Sequence, residues 1–144
     1  ESLLVKGMAT IEDCRVVRLP RISSHKGALT PVYEKEHVPF SIARVYYLYD
    51  VPGGERRGGH AHRELEQLIV SVMGAFDVVV DDGLNRKTVR LDRGYFGLYV
   101  PTMIWRELEN FSSGGVCLVL ASTPYSEEDY IRDYDTFVME KHSG

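Results

Sequence analysis

The stretch GGERRGGHAHRELEQ, residues 53–67, decides how the rest of the chain is read. Four of its first seven residues are glycine, His60 and His62 stand one residue apart, and Gln67 leads into the apolar run LIVSV. On an extended backbone alternate side chains share a face, so the two imidazoles point the same way. Two imidazoles aimed into one pocket supply either two metal ligands or an acid/base pair that titrates near neutral pH. The bland alternative is a pair of solvated loop histidines, and the glycine-rich entry and apolar exit argue against it.

On both sides of this stretch lie short runs rich in Val, Ile, Tyr and Phe. The clearest are Arg44–Val51, Gln67–Val72, Ala75–Asp81, Lys87–Leu91, Tyr95–Val100 and Val116–Ser122. So many short strands with few helical intervals predict an all-β sandwich or small barrel. Gly74 and Asp82-Gly83 mark reverse turns between them. Cys14–Leu19 reads as an edge strand ended by Pro20. The less regular segment Ser23–Phe40 is of a kind that packs over a site or a partner subunit. Acidic residues at Ser126–Asp129, followed by Tyr130, Ile131, Tyr134, Phe137 and Val138, predict one short C-terminal helix beginning there. No repeat or linker divides the chain, so one domain is expected.

Composition agrees. The 144 residues carry a net charge of -4, with 44% hydrophobic and 26% charged residues, ordinary for a globular domain and too acidic for general nucleic-acid binding. Charges or glycines interrupt every apolar run, which excludes a membrane helix, and Glu1–Thr10 lacks the features of a signal peptide. Two cysteines, Cys14 and Cys117, sit in apolar runs without zinc spacing, so they read as small hydrophobes in a reducing cytoplasm rather than as reactive thiols.

The spacing around the histidines resembles that of the cupins, small conical antiparallel β-barrels of jelly-roll type. Their first motif runs Gly, five residues, His-x-His, three or four residues, Glu, six residues, Gly; here Gly54, His60, His62, Gln67 and Gly74 fall at those positions. The second motif, Pro-x-Gly-x-x-His-x-x-x-Asn, becomes Pro101-x-Met103-x-x-Arg106-x-x-x-Asn110. In metal cupins the Glu and the second-motif His complete the metal site. Gln67 is a weak neutral ligand and Arg106 a permanent cation, so metal-free acid/base chemistry is expected, with no cofactor. A guanidinium there suits an anionic or enolate-bearing ligand.

A longer string, RVYYLYDVPGGERRGGHAHRELEQ at 44–67, resembles the cupin-type sugar 3,4-ketoisomerases, which act on dTDP-4-keto-6-deoxyglucose. Gly27-x-Leu29, Pro39-Phe40, the DDG turn, WRELENFS, LVLAS and DYIRDYDTF extend the similarity over most of the chain. The resemblance implies a single cupin domain over residues 1–144 with a short C-terminal helix, and a homodimer in which the strand at about 14–19 is exchanged. It implies ketone migration from C4 to C3 by enolisation, with His60 as the leading C–H acid/base, His62 handling an oxygen-bound proton, and Tyr46 as hydroxyl donor. Arg57, Arg44 and Lys26 are the expected diphosphate partners, with Arg56, Arg63 and Arg90 behind them. Arg106, Gln67 and Trp105 are expected around the sugar, although Trp105 reads equally well as core. Other readings are a nucleotide-sugar epimerase, a non-enzymatic sugar-nucleotide-binding cupin and a metal-dependent oxygenase.

Overall fold

The computed structural model describes residues 9–143. Most of the opening segment, where no leader peptide is expected, lies outside them. The described chain forms twelve strands and one α-helix, in the order β1 (Arg15–Arg18), β2 (Ile22–Ser24), β3 (Gly27–Leu29), β4 (Arg44–Leu48), β5 (Arg57–His62), β6 (Gln67–Met73), β7 (Phe76–Asp81), β8 (Arg86–Leu91), β9 (Phe96–Val100), β10 (Trp105–Glu109), β11 (Val116–Ala121), β12 (Tyr130–Ile131) and α1 (Tyr134–Ser143). One five-stranded sheet has the order β1-β9-β6-β11-β4 and the other β12-β5-β10-β7-β8, while β2 and β3 make a separate hairpin. The strand pairings are antiparallel.

The two large sheets face each other because each strand alternates. On β6, Leu68 and Val70 pack outward with Leu19, Val38 and Phe40. Ile69, between them, turns inward to a core shared with Phe76, Val78 and Val80 of β7, Leu98 and Val100 of β9, and Cys117 and Val119 of β11. That inner core draws on both sheets, which closes the jelly roll expected from the sequence. A third cluster, Ala61, Met103, Trp105, Ile131 and Phe137, seats α1 on the outside of the second sheet.

Two motif positions explain themselves in the backbone. Gly74 turns β6 into β7 at φ +70, and a Cβ there would stand 2.5 Å from Ser112 Oγ and 2.8 Å from Gly115 Cα. Only glycine fits. Met103 replaces the glycine of the second motif yet keeps a left-handed φ of +57, and its N–H donates to the His62 carbonyl at 2.8 Å. A residue with a Cβ holds this conformation at a cost on the order of 1 kcal/mol.

Ser23–Phe40 forms the exposed β2–β3 hairpin and then packs Val38 and Phe40 on the back of the first sheet, so of the two roles expected for it only packing on a partner subunit stays open. One expectation is revised. The acidic run at Ser126 does not open the helix. Glu127–Asp129 is a 3₁₀ turn, Tyr130–Ile131 pairs with β5 as β12, and α1 starts only at Tyr134. Pairing with the edge of β5 satisfies backbone groups that an early helix would have left to water. No helix among the described residues is long and apolar enough to cross a membrane.

Candidate active site

Strand register assembles the site. Arg44 and Gln67 stand on either side of Ala121 across the first sheet, and Tyr46 and Ile69 on either side of Val119. The Ala121 methyl is fully buried and leaves space between its longer neighbours. In the second sheet, Arg106 lies opposite His60 on β5 and Val80 on β7. Period-two alternation therefore aims Arg44, Tyr46, His60, His62, Gln67 and Arg106 at one interior.

Arg106 is buried and makes three hydrogen bonds. Its Nε and Nη2 donate to the Ile104 carbonyl at 3.1 and 2.9 Å, and its Nη1 donates across the barrel to Gln67 Oε1 at 2.6 Å. Gln67 Nε2 in turn donates to the Tyr46 hydroxyl oxygen at 3.1 Å. This relay fills an acceptor site on Tyr46 and frees its O–H to donate elsewhere. Burial raises the Tyr46 pKa although the Gln67 bond opposes it, so the phenol stays protonated. Burial pushes Arg106 down to about 10, which leaves it charged at neutral pH.

His62 has no exposed surface, and its Nδ1 lies 2.8 Å from Asp129 Oδ2. Its Nε2 is buried without a hydrogen-bond partner. Burial first, then the guanidinium groups of Arg106, Arg44 and Arg132, hold its pKa far below the ordinary histidine value. The imidazole is therefore neutral, and the contact is an N–H donating to a carboxylate. The Tyr130 ring packs on both histidines, with centroids 4.4 Å from His62 and 5.1 Å from His60. The two imidazoles meet edge to face at 4.9 Å.

In front of them opens a cavity of about 400 Å³, lined by Arg44, Tyr46, Leu48, Arg57, His60, Leu108, Tyr130 and Arg132. That volume suits a small organic ligand. Three cations line a pocket in an acidic protein, and Arg44 keeps Nε and Nη2 buried with no hydrogen-bond partner. Its guanidinium stacks instead over the Tyr46 ring, 4.9 Å from the centroid. Unmatched buried donors of this kind await an anionic oxygen.

The remaining sequence candidates separate by position. Gln67, Arg106 and His62 are all buried and do not line the cavity: the first two stand behind Tyr46, and His62 meets the lining through the rings of His60 and Tyr130. Trp105 does not reach the cavity. It is adjacent to the inward Arg106 on β10 and so faces out, where its ring packs on Tyr134 and Phe137 and its Nε1 donates to Glu107 at 2.9 Å. Lys26 lies in the exposed β2–β3 turn and is not among the lining residues. Of the secondary cations, Arg56 pairs with Glu109, Arg63 with Glu140 and Arg90 with Asp77. The cysteines are free and buried, and burial pushes their thiols up to about 11 for Cys14 and about 12 for Cys117, which removes them as nucleophiles. Among the described residues no three His, Cys, Asp or Glu side chains gather to hold a metal.

Asp129, Tyr130 and Arg132 were missed as site residues. All three belong to the segment read as helix, and their one sequence signal was the DYIRDYDTF similarity.

The family profile described as "FdtA: WxcM-like, C-terminal" matches residues 12–142. The TDP-4-oxo-6-deoxy-alpha-D-glucose-3,4-oxoisomerase of Aneurinibacillus thermoaerophilus is 45% identical over 123 residues, 85% of this chain and 88% of that protein. A 3,4-ketoisomerase from Helicobacter canadensis has a crystal structure with a TM-score of 0.88 at 39% identity, covering 91% of this chain and 98% of its own. QdtA, a sugar 3,4-ketoisomerase from Thermoanaerobacterium thermosaccharolyticum solved in complex with TDP, gives 0.87 at 36% identity, covering 89% and 93%. With a matched profile spanning nearly the whole chain and this degree of identity, the chain belongs to the FdtA/WxcM-like family of cupin sugar 3,4-ketoisomerases and is an isomerase.

Proposed function

We propose that this chain converts dTDP-4-keto-6-deoxyglucose to a dTDP-3-keto-6-deoxyhexose by metal-free acid/base enolisation, with the following division of labour. The observation that carries the reading is the meeting of His60, the Tyr46 hydroxyl and the unmatched Arg44 donors on one cavity wall. His60 takes the C3 proton, which the C4 ketone acidifies. The C3–H electron pair becomes the C3=C4 double bond and the carbonyl pair moves to O4, giving an enediolate. Reprotonation at C4 and transfer of the O3 proton to O4 complete the C3 ketone and the C4 hydroxyl, so no oxidant or reductant enters. His62 serves the oxygen-bound proton, and protonated Tyr46 donates toward the developing oxyanion.

Arg44 offers its free N–H groups to an anionic oxygen, and exposed Arg57 at the cavity rim receives the diphosphate. Arg106 acts through its field and through Gln67, not by contact with the sugar. The test is incubation with dTDP-4-keto-6-deoxyglucose in heavy water, followed by NMR. The carbonyl signal is expected to move from C4 to C3 with deuterium appearing at C4; unchanged substrate despite saturable binding would overturn the proposal.

The same reading includes a homodimer. Val16, Ile22, Leu29, Val45, Tyr47 and Val72 are exposed, and a groove of about 530 Å³ on the first sheet is lined in part by Leu19, Val32, Val70, Val72, Tyr95 and Leu118. β1 sits at that sheet's edge, paired antiparallel with β9 of its own chain, and an edge strand is readily exchanged between subunits. Sedimentation should show a dimer at micromolar concentration, and a persistent monomer counts against it. The free thiols suit a reducing compartment, the cytoplasm.

A further inference from the structure

Asp129 is separated from His62 by 67 residues, yet its carboxylate is built into the site from both sides. Oδ2 accepts from His62 Nδ1 at 2.8 Å, Oδ1 accepts from the Glu64 backbone N–H at 2.5 Å, and the Asp129 carbonyl accepts from the Arg63 N–H at 2.9 Å. The residue is buried at the end of the 3₁₀ turn, and the next residue, Tyr130, pairs with His62 as the first of β12. Carboxylate and imidazole are thus fixed to one another by backbone on each side.

We propose that Asp129 is a positioning residue: its carboxylate fixes His62 as the Nδ1–H tautomer, so that Nε2 carries the lone pair that exchanges a proton during ketone migration. This inference rests on the reading of His62 as a proton carrier given above. A neutral imidazole has one donor and one acceptor nitrogen, and the bond made by one decides the role of the other. An ionised carboxylate only accepts, so Nδ1 must hold the hydrogen. Nε2, buried and without a hydrogen-bond partner, is left as the acceptor.

Asp129→Asn makes a sharp test because the Glu64 N–H constrains the amide. If the amide oxygen keeps that N–H, its NH₂ faces Nδ1, which must then accept, and the ring hydrogen moves to Nε2. The opposite amide orientation sets two donors against each other at Glu64. The variant should therefore invert the tautomer and remove the Nε2 lone pair without changing the shape of the pocket.

Long-range proton–nitrogen NMR of the full chain reads the tautomer directly, with the His62 signals assigned by their loss in His62→Asn. The wild type is expected to show protonated Nδ1 and bare Nε2. Asp129→Asn should show the reverse, with kcat lower by about 10²–10⁴-fold, the contribution of one acid/base group, and TDP affinity little changed. A wild-type His62 protonated at Nε2, or a mixture of tautomers, overturns the proposal even if the variant does not fold. So does an Asp129→Asn protein with full kcat, or one that loses TDP binding in step with kcat, as a merely structural role would produce. A wild type that shows the Nδ1–H tautomer and binds TDP, yet moves no ketone, sinks the functional reading and leaves the assignment of Asp129 standing.

Discussion

Along single strands of this barrel the inward side chains change character. β4 runs from Arg44 through Tyr46 to Leu48, β6 from Gln67 to Ile69, and β10 from Arg106 to Leu108. One half of the interior is a packed apolar core in which Phe76 stacks on Phe111 at 4.9 Å. The other half holds a buried guanidinium, two imidazoles and donors with no partner. The apolar half stabilises the fold, whereas the polar half spends stability to stay ready for an anionic ligand. The two halves share strands, so substitutions only a few positions apart should fall on different observables.

The largest separation is expected from His60→Asn, which should slow ketone migration by about 10²–10⁴-fold while leaving nucleotide-sugar affinity and melting temperature nearly unchanged. Single-turnover kinetics beside calorimetric binding checks this, and retained turnover removes the proposed proton carrier. Phe76→Ala should do the converse. It costs about 3–5 kcal/mol in urea unfolding through the cavity it leaves, with kcat per folded molecule preserved; a large loss of kcat with little loss of stability would show that the halves are not separable.

Arg106→Met combined with Gln67→Leu turns part of the polar half apolar. Removing both leaves neither of that pair stranded but strips the buried Ile104 carbonyl of two donors, so stability should fall by no more than about 1–3 kcal/mol while activity collapses. A larger fall in stability would show that the relay to Tyr46 supports the fold.

The smallest effect is in pH. The folded pKa of His62 lies below its unfolded value of about 6.5, so the unfolded chain binds the proton first. The stability this represents is present in full above about pH 6.5 and is lost as pH falls, by up to about 1.4 kcal/mol per pH unit. The charged and titratable groups around the ring are Asp129, His60, Tyr130, Arg106, Arg44 and Arg132. Unfolding of His62→Asn should vary less steeply between pH 6.5 and about 4.5; equal slopes would mean that His62 is not held neutral.

Local periodicity carried much of this architecture. Alternation and turn residues gave six strands close to their observed bounds, and the His-x-His spacing put two imidazoles on one face without any tertiary information. Alternation could also have excluded Trp105, since it neighbours Arg106 on a strand and the two cannot both face inward. The sequence could not show that Arg106 spends its donors on Gln67 and Ile104, or that the acidic residue ending SEED is the partner of His62. An acidic run before aromatic residues has the local signature of a helix start, and only the free edge of β5 made it a strand. Nearest-neighbour chemistry is written along the chain and can be read there. Which donor finds which acceptor across 67 residues, and which nitrogen of an imidazole then keeps its lone pair, is decided only when both sheets close around the same interior.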